Sequence, residues 1–90
     1  VQETITNKKD DAAKKIGLIT GISNEIYFCT ISRLSTVYVE LVDDNWMAWR
    51  ESYAPNSNKM KSHKVLAIGS FELAIARTKN YLKFMKQFNN

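Results

Sequence analysis

One cysteine, one proline, one histidine and three glycines stand among the ninety residues of this chain. Each scarcity excludes something. Cys29 alone cannot close an intramolecular disulfide, whereas a small secreted domain usually carries several. That points to a reducing, cytoplasmic setting, with Cys29 in the apolar run Ile26–Cys29 reading as a small buried hydrophobe. Cys29 and His63 together fall short of the roughly four ligands of an ordinary structural zinc site, so no metal is expected. Gly17, Gly21 and Gly69 are too scattered for a phosphate cradle, and neither a G-x-S-x-G elbow nor a Walker-type lysine loop occurs. Asp43-Asp44 reads as a turn and not as a catalytic or calcium-binding pair. The expectation is a protein that is not an enzyme and uses no cofactor. No stretch approaches the roughly 20 apolar residues of a membrane span, and no signal-peptide pattern occurs.

What is present is charge, unevenly placed. The chain carries a net +4. Residues 1–45 hold five cations against seven carboxylates, for −2, and residues 46–90 hold eight against two, for +6. An asymmetry of this kind suggests an anionic partner, although lysines also serve solubility. Only three of the thirteen basic residues are arginine. Bidentate reading of guanine is mainly an arginine property, so the composition favours backbone tracking over sequence readout.

Hydrophobic patterning organises the chain. Residues 1–15 form a polar N-terminal segment, either flexible or carrying a short helix, and residues 16–90 form a single α+β domain. Short runs of strand formers follow at Ile16–Thr20, broken by Gly17, and at Ile26–Ile31. Thr36–Val42 alternates with a period of two, Val37, Val39 and Leu41 facing one way and Thr36, Tyr38 and Glu40 the other. Trp46–Tyr53 repeats the pattern, with Trp46, Ala48 and Arg50 opposite Met47, Trp49 and Tyr53. Ala54–His63 reads as an exposed loop, and Lys64–Ile68 as a short strand ended by Gly69.

From Phe71 to about Phe88 the period changes to that of a helix. Ser70 is a suitable N-cap, and Glu72 lies where a helix favours negative charge. Phe71, Ala74, Ile75, Thr78, Leu82 and Met85 share one face, flanked by Tyr81 and Phe88, while Lys79, Lys83 and Lys86 form a stripe elsewhere. The predicted architecture is an antiparallel sheet of four to five short strands followed by one C-terminal amphipathic helix packed on one face.

Trp46-Met47-Ala48, Ile68-Gly69-Ser70-Phe71 and Tyr81 resemble the W-x-A strand, the L-G-x-F helix entry and the helical tyrosine of the integrase-arm and plant AP2-type DNA-binding domains. Those domains are three-stranded sheets backed by a helix, and the resemblance covers about residues 36–84. The arginine-rich first strands and Gly-Val start that carry that family's DNA contacts are missing here, so no site residue is carried over.

Two binding functions follow as expectations. The first is nucleic-acid binding with little sequence readout, through Arg50, Lys59, Lys61, Lys64, Lys79, Lys83 and Lys86, with Tyr38, Trp49 and Tyr53 as stacking faces. The second is a protein-interaction or inhibitor module, of the kind phages and mobile elements encode, using Trp46, Trp49, Leu73, Arg77 and Phe84. In that second case a homodimer is one of the open arrangements. No membrane partner is expected.

Overall fold

Asn7 opens the first helix with its own side chain. Its carboxamide oxygen accepts hydrogen bonds from the amides of Lys9 and Asp10, both at 3.1 Å, which satisfies two of the donors a helix start leaves free. The computed structural model describes residues 7–56 and 59–88. The first six residues of the polar segment, Asn89-Asn90 and the Phe88 side chain assigned to the helix flank lie outside the described residues. Helix α1 runs Lys8–Lys15, with Asp10 and Asp11 in its first turn and Lys14 and Lys15 in its last, as the helix dipole favours.

Gly17 ends α1, so it is not an interruption of a strand. Its φ is +95°. The Gly17 amide donates to Lys14 O and the Leu18 amide to Ala13 O, at 3.0 and 2.9 Å. This is the Schellman arrangement, which requires a left-handed residue just past the helix. Ala13 and Leu18, the two ends of the longer bond, are both buried in the core. The first strand therefore starts later than its apolar run suggests, at Ile19.

Five strands follow: β1 (Ile19–Ile22), β2 (Ile26–Ser32), β3 (Ser35–Val42), β4 (Asn45–Tyr53) and β5 (Met60–Gly69). They pair in chain order as one antiparallel meander. Strand β5 begins at Met60, so residues 60–63, read as loop, are strand. Register shifts interrupt its pairing between Ser52 and Tyr53 and between Ala48 and Trp49 of β4, and bulges of this kind erase a simple alternation. Helix α2 (Phe71–Phe88) closes the chain. Ser70 caps it, its Oγ accepting from the Leu73 amide at 3.1 Å.

The fold is α+β, with both helices on one face of the sheet. On that face Tyr27, Val39, Ala48 and Ala67 stand in one cross-strand rank, and all four are buried beneath the helices. Phe71 meets the Trp46 ring edge-on, with centroids 4.9 Å apart, and meets Tyr27 at 6.0 Å. Asp10 fastens α1 to the β1–β2 hairpin. Its two oxygens accept from Tyr27 Oη at 2.5 Å and from Ser23 Oγ at 2.6 Å. No helix among the described residues is long and apolar enough to cross a membrane.

Candidate binding surfaces

Among the described residues the face of the sheet opposite the helices is uncovered, and its centre is apolar. In an antiparallel ladder, directly opposed residues share a face. The register therefore draws a line across all five strands: Ile19, Phe28, Tyr38, Trp49 and Val65. A second rank beside it reads Ile22, Ile26, Glu40, Met47 and Ile68. A third holds Thr30, Thr36, Glu51 and His63. Ile19 and Ile68 are each 58% exposed, and Ile22, Met60 and Val65 are exposed as well.

The centre of this face is ordered by its aromatics. Tyr38 and Trp49 stack at 5.2 Å between centroids, and the His63 ring lies 6.1 Å from Trp49. Glu51 accepts from Trp49 Nε1 at 2.8 Å and from Tyr53 Oη at 2.9 Å. That carboxylate, by its hydrogen bond first and its charge second, raises the Tyr53 phenol above its ordinary value. None of the paired positions in the three ranks is Lys or Arg, whereas Glu40 and Glu51 are acids.

The basic residues lie elsewhere and do not form one field. Lys79, Lys83 and Lys86 join Lys15, at the end of α1, around a groove of about 240 Å³ lined also by Ile16 and Leu82. Arg50 is on the helix side of the sheet. Its Nη1 donates to Tyr81 Oη at 2.8 Å, and its guanidinium and the Lys64 ammonium lie 6.0 and 5.8 Å from the Tyr81 ring centre. Both cations are thus engaged with α2. Lys61 shares a second cleft with Arg50, at the opposite end of β4 from the Trp46 core. Lys59 is exposed just before β5.

Of the residues read as a protein interface, Trp46 is core, only 7% exposed, and Trp49 is on the open face. Leu73, Arg77 and Phe84 are exposed on α2. The open-face ranks escape a search for motifs because Ile, Phe, Tyr and Val in strands look like core. Their signal is that Ile26 and Phe28 of β2, and Met47 and Trp49 of β4, alternate with core residues that are apolar too, while helices among the described residues cover only one face.

Cys29 is half-buried against the core, and desolvation raises its thiol pKa, opposite to the shift of a reactive thiolate. Among the described residues no cluster of three or more His, Cys, Asp or Glu is arranged to hold a metal ion. No known protein family, curated protein or solved structure matches the chain.

Proposed function

We propose that this chain is a non-enzymatic protein-binding module whose open sheet face receives a short amphipathic segment of a partner protein. The observation that carries this reading is the apolar line Ile19–Phe28–Tyr38–Trp49–Val65, which crosses every strand on the face without a helix. Strand spacing and rise give the two mainly apolar ranks, Ile19–Val65 and Ile22–Ile68, about 20 Å by 13 Å, on the order of 250 Å². The largest apolar patch of a small protein is often functional. A globular interface of standard size takes about 800 Å² per partner, so the face suits a segment laid across it more than a whole domain.

Charge selects the segment's chemistry. Two carboxylates and no cation stand in the paired ranks of the face. A segment with apolar anchors and a lysine or arginine near Glu40 is complementary, while a phosphate backbone is repelled. The same argument disfavours a second copy of this face, which would set like charges together.

Selection of displayed random peptides on the wild-type protein, with the Ile68→Glu variant as the counter-target, tests the reading. Ile68 is well exposed, so the substitution leaves the core intact. The expected winners are apolar and basic and bind the wild type only. Winners that bind both proteins equally would overturn the assignment. So would a concentration-dependent mass of the free protein that Ile68→Glu abolishes, because that would make the occupant a second copy.

One observation favours nucleic acid as a second reading: the four lysines around the α1–α2 groove. Binding there is electrostatic and falls steeply with salt. Anisotropy of labelled single- and double-stranded DNA and RNA at two salt concentrations tests it, with the combined Lys79→Glu, Lys83→Glu and Lys86→Glu variant as the control. Equal binding by variant and wild type would end that reading.

A further inference from the structure

Four serines stand side by side across the helix-bearing face of the sheet. Ser32 is paired with Ser35, Ser35 with Ser52 and Ser52 with Ser62. The neighbouring rank contains Arg50 opposite Lys64. The serines open with Arg50 and Lys61 into a cleft of about 390 Å³. A rank of hydroxyls where the sheet's pleat elsewhere presents core residues is a break in pattern, and the charges around it are of one sign. No carboxylate is among the described residues that line the cleft.

Arg50 is held for use. Tyr81 accepts from Nη1 at 2.8 Å and lies against the guanidinium, which fixes the plane of the fork. The Nε of Arg50 is buried and has no hydrogen-bond partner among the described residues. Ser35 Oγ and Ser52 Oγ are hydrogen-bonded to each other at 2.8 Å, so one of these hydroxyls keeps its proton for a further acceptor. Leu34 and Pro55 give the cleft an apolar border.

We infer that this cleft binds a small phosphate monoester, its phosphoryl oxygens on Arg50, Lys61 and the serine hydroxyls and its organic body against Leu34 and Pro55. A pre-oriented guanidinium fork with an ammonium and hydroxyl donors matches the tetrahedral, doubly charged phosphoryl group. Four hydroxyls and two cations suit a single compact anion. The serines and Arg50 are on the helix side of the sheet, with Tyr53 at the cleft's edge, and neither Arg50 nor Lys61 stands in the three open-face ranks, so either assignment can fail alone.

The test is an amide-resolved NMR titration of the full chain with inorganic phosphate, with adenosine and with adenosine 5′-monophosphate. Adenosine 5′-monophosphate is expected to move the Ser35, Ser52, Ser62 and Lys61 amides and to bind several-fold tighter than inorganic phosphate, with adenosine inert. Lys61→Gln, at an exposed position, is expected to weaken binding about tenfold, as loss of a charge-assisted hydrogen bond does. Arg50→Lys keeps the charge and loses the fork, and is expected to weaken it at least as much while the spectrum stays folded.

Equal affinity for inorganic phosphate and the nucleotide would overturn the assignment to a monoester. Absence of shifts, shifts confined to Lys79–Lys86, or binding that Lys61→Gln leaves unchanged would overturn the site.

Discussion

Trp49 and Glu51, two residues apart on β4, are hydrogen-bonded to each other across the open face, indole Nε1 to carboxylate at 2.8 Å. Tyr53 donates to the other oxygen of the same carboxylate at 2.9 Å. These three side chains thus satisfy one another where the apolar line meets the polar rank beside it. A partner that covers Trp49 therefore strands neither its indole N–H nor the Tyr53 hydroxyl, the usual cost of covering polar groups.

This arrangement has a spectroscopic consequence. The Tyr53 phenol titrates above its ordinary value because ionising it breaks the bond to Glu51 and sets two negative charges together. Glu51→Gln is expected to bring Tyr53 back toward the ordinary tyrosine value in an ultraviolet titration. Tyr27, pushed up to about 12 by burial and by Asp10, is expected to stay high. No change on Glu51→Gln would mean that the pair is absent in solution.

Asp10 and Tyr27 give the fold a pH dependence at both ends of the range. Asp10 is lowered, first by its hydrogen bond from Ser23 and then by that from Tyr27. Its contribution is therefore present above the ordinary carboxylate pKa of 3.8 and is lost as pH falls through the lower folded value. Tyr27 is raised, so its contribution is full below 10 and is lost as pH rises from 10 toward about 12. Urea midpoints measured across pH are expected to fall at both ends. In Asp10→Asn the fall at the acid end is expected to shrink. An unchanged acid limb would show that Asp10 does not carry it.

Gly17→Ala isolates a backbone effect. A Cβ at this position meets nothing within 4 Å, yet φ is +95°. The expected loss is about 1 kcal/mol, from the left-handed conformation alone, with Gly17→Asn less costly. Urea denaturation measures it, and an unchanged midpoint would contradict the cap.

Thr78 points the other way. It is fully buried, and its Oγ1 has no partner among the described residues. Exchanging the hydroxyl for a methyl of similar shape removes an unmet hydrogen bond. Thr78→Val is expected to stabilise the fold by about 1 kcal/mol, read as a higher urea midpoint. A loss of stability would show that the hydroxyl is bonded in solution.

Much of this fold is legible in the chain because local signals agree. The alternation at Thr36–Val42 sets Val37, Val39 and Leu41 on one face, and Val37 and Val39 are fully buried, while Leu41, near the end of β3, is 39% exposed. Ser70, Glu72 and the apolar stripe from Phe71 define α2 without tertiary information. Gly17 misleads because Ile16 and Leu18 on either side are strand formers, and only the carbonyls of Ala13 and Lys14 show that it terminates a helix. The start of β5 is obscured by bulges and by polar residues at an exposed edge.

The candidate surfaces were harder to read for a different reason. Trp46 and Trp49 fall on opposite faces by parity, but parity does not say which face the helix covers. Arg50 reads as a free cation in sequence, and only its approach to Tyr81, thirty-one residues away, ties it to α2. The serine rank emerges only once three strand registers are known.

If the helix-free face is the protein-binding face, the chain's two tryptophans report on it separately. Trp46 is locked in the core beside Phe71, and Trp49 is on the open face. The most direct measurement is the pair of indole N–H signals in a nitrogen-proton NMR spectrum, followed as a selected apolar, basic peptide is added. The account predicts that the Trp49 signal moves to saturation while that of Trp46 stays nearly fixed, and that Ile68→Glu abolishes the movement. A Trp49 signal that stays fixed while the peptide binds would place the interface elsewhere and contradict it.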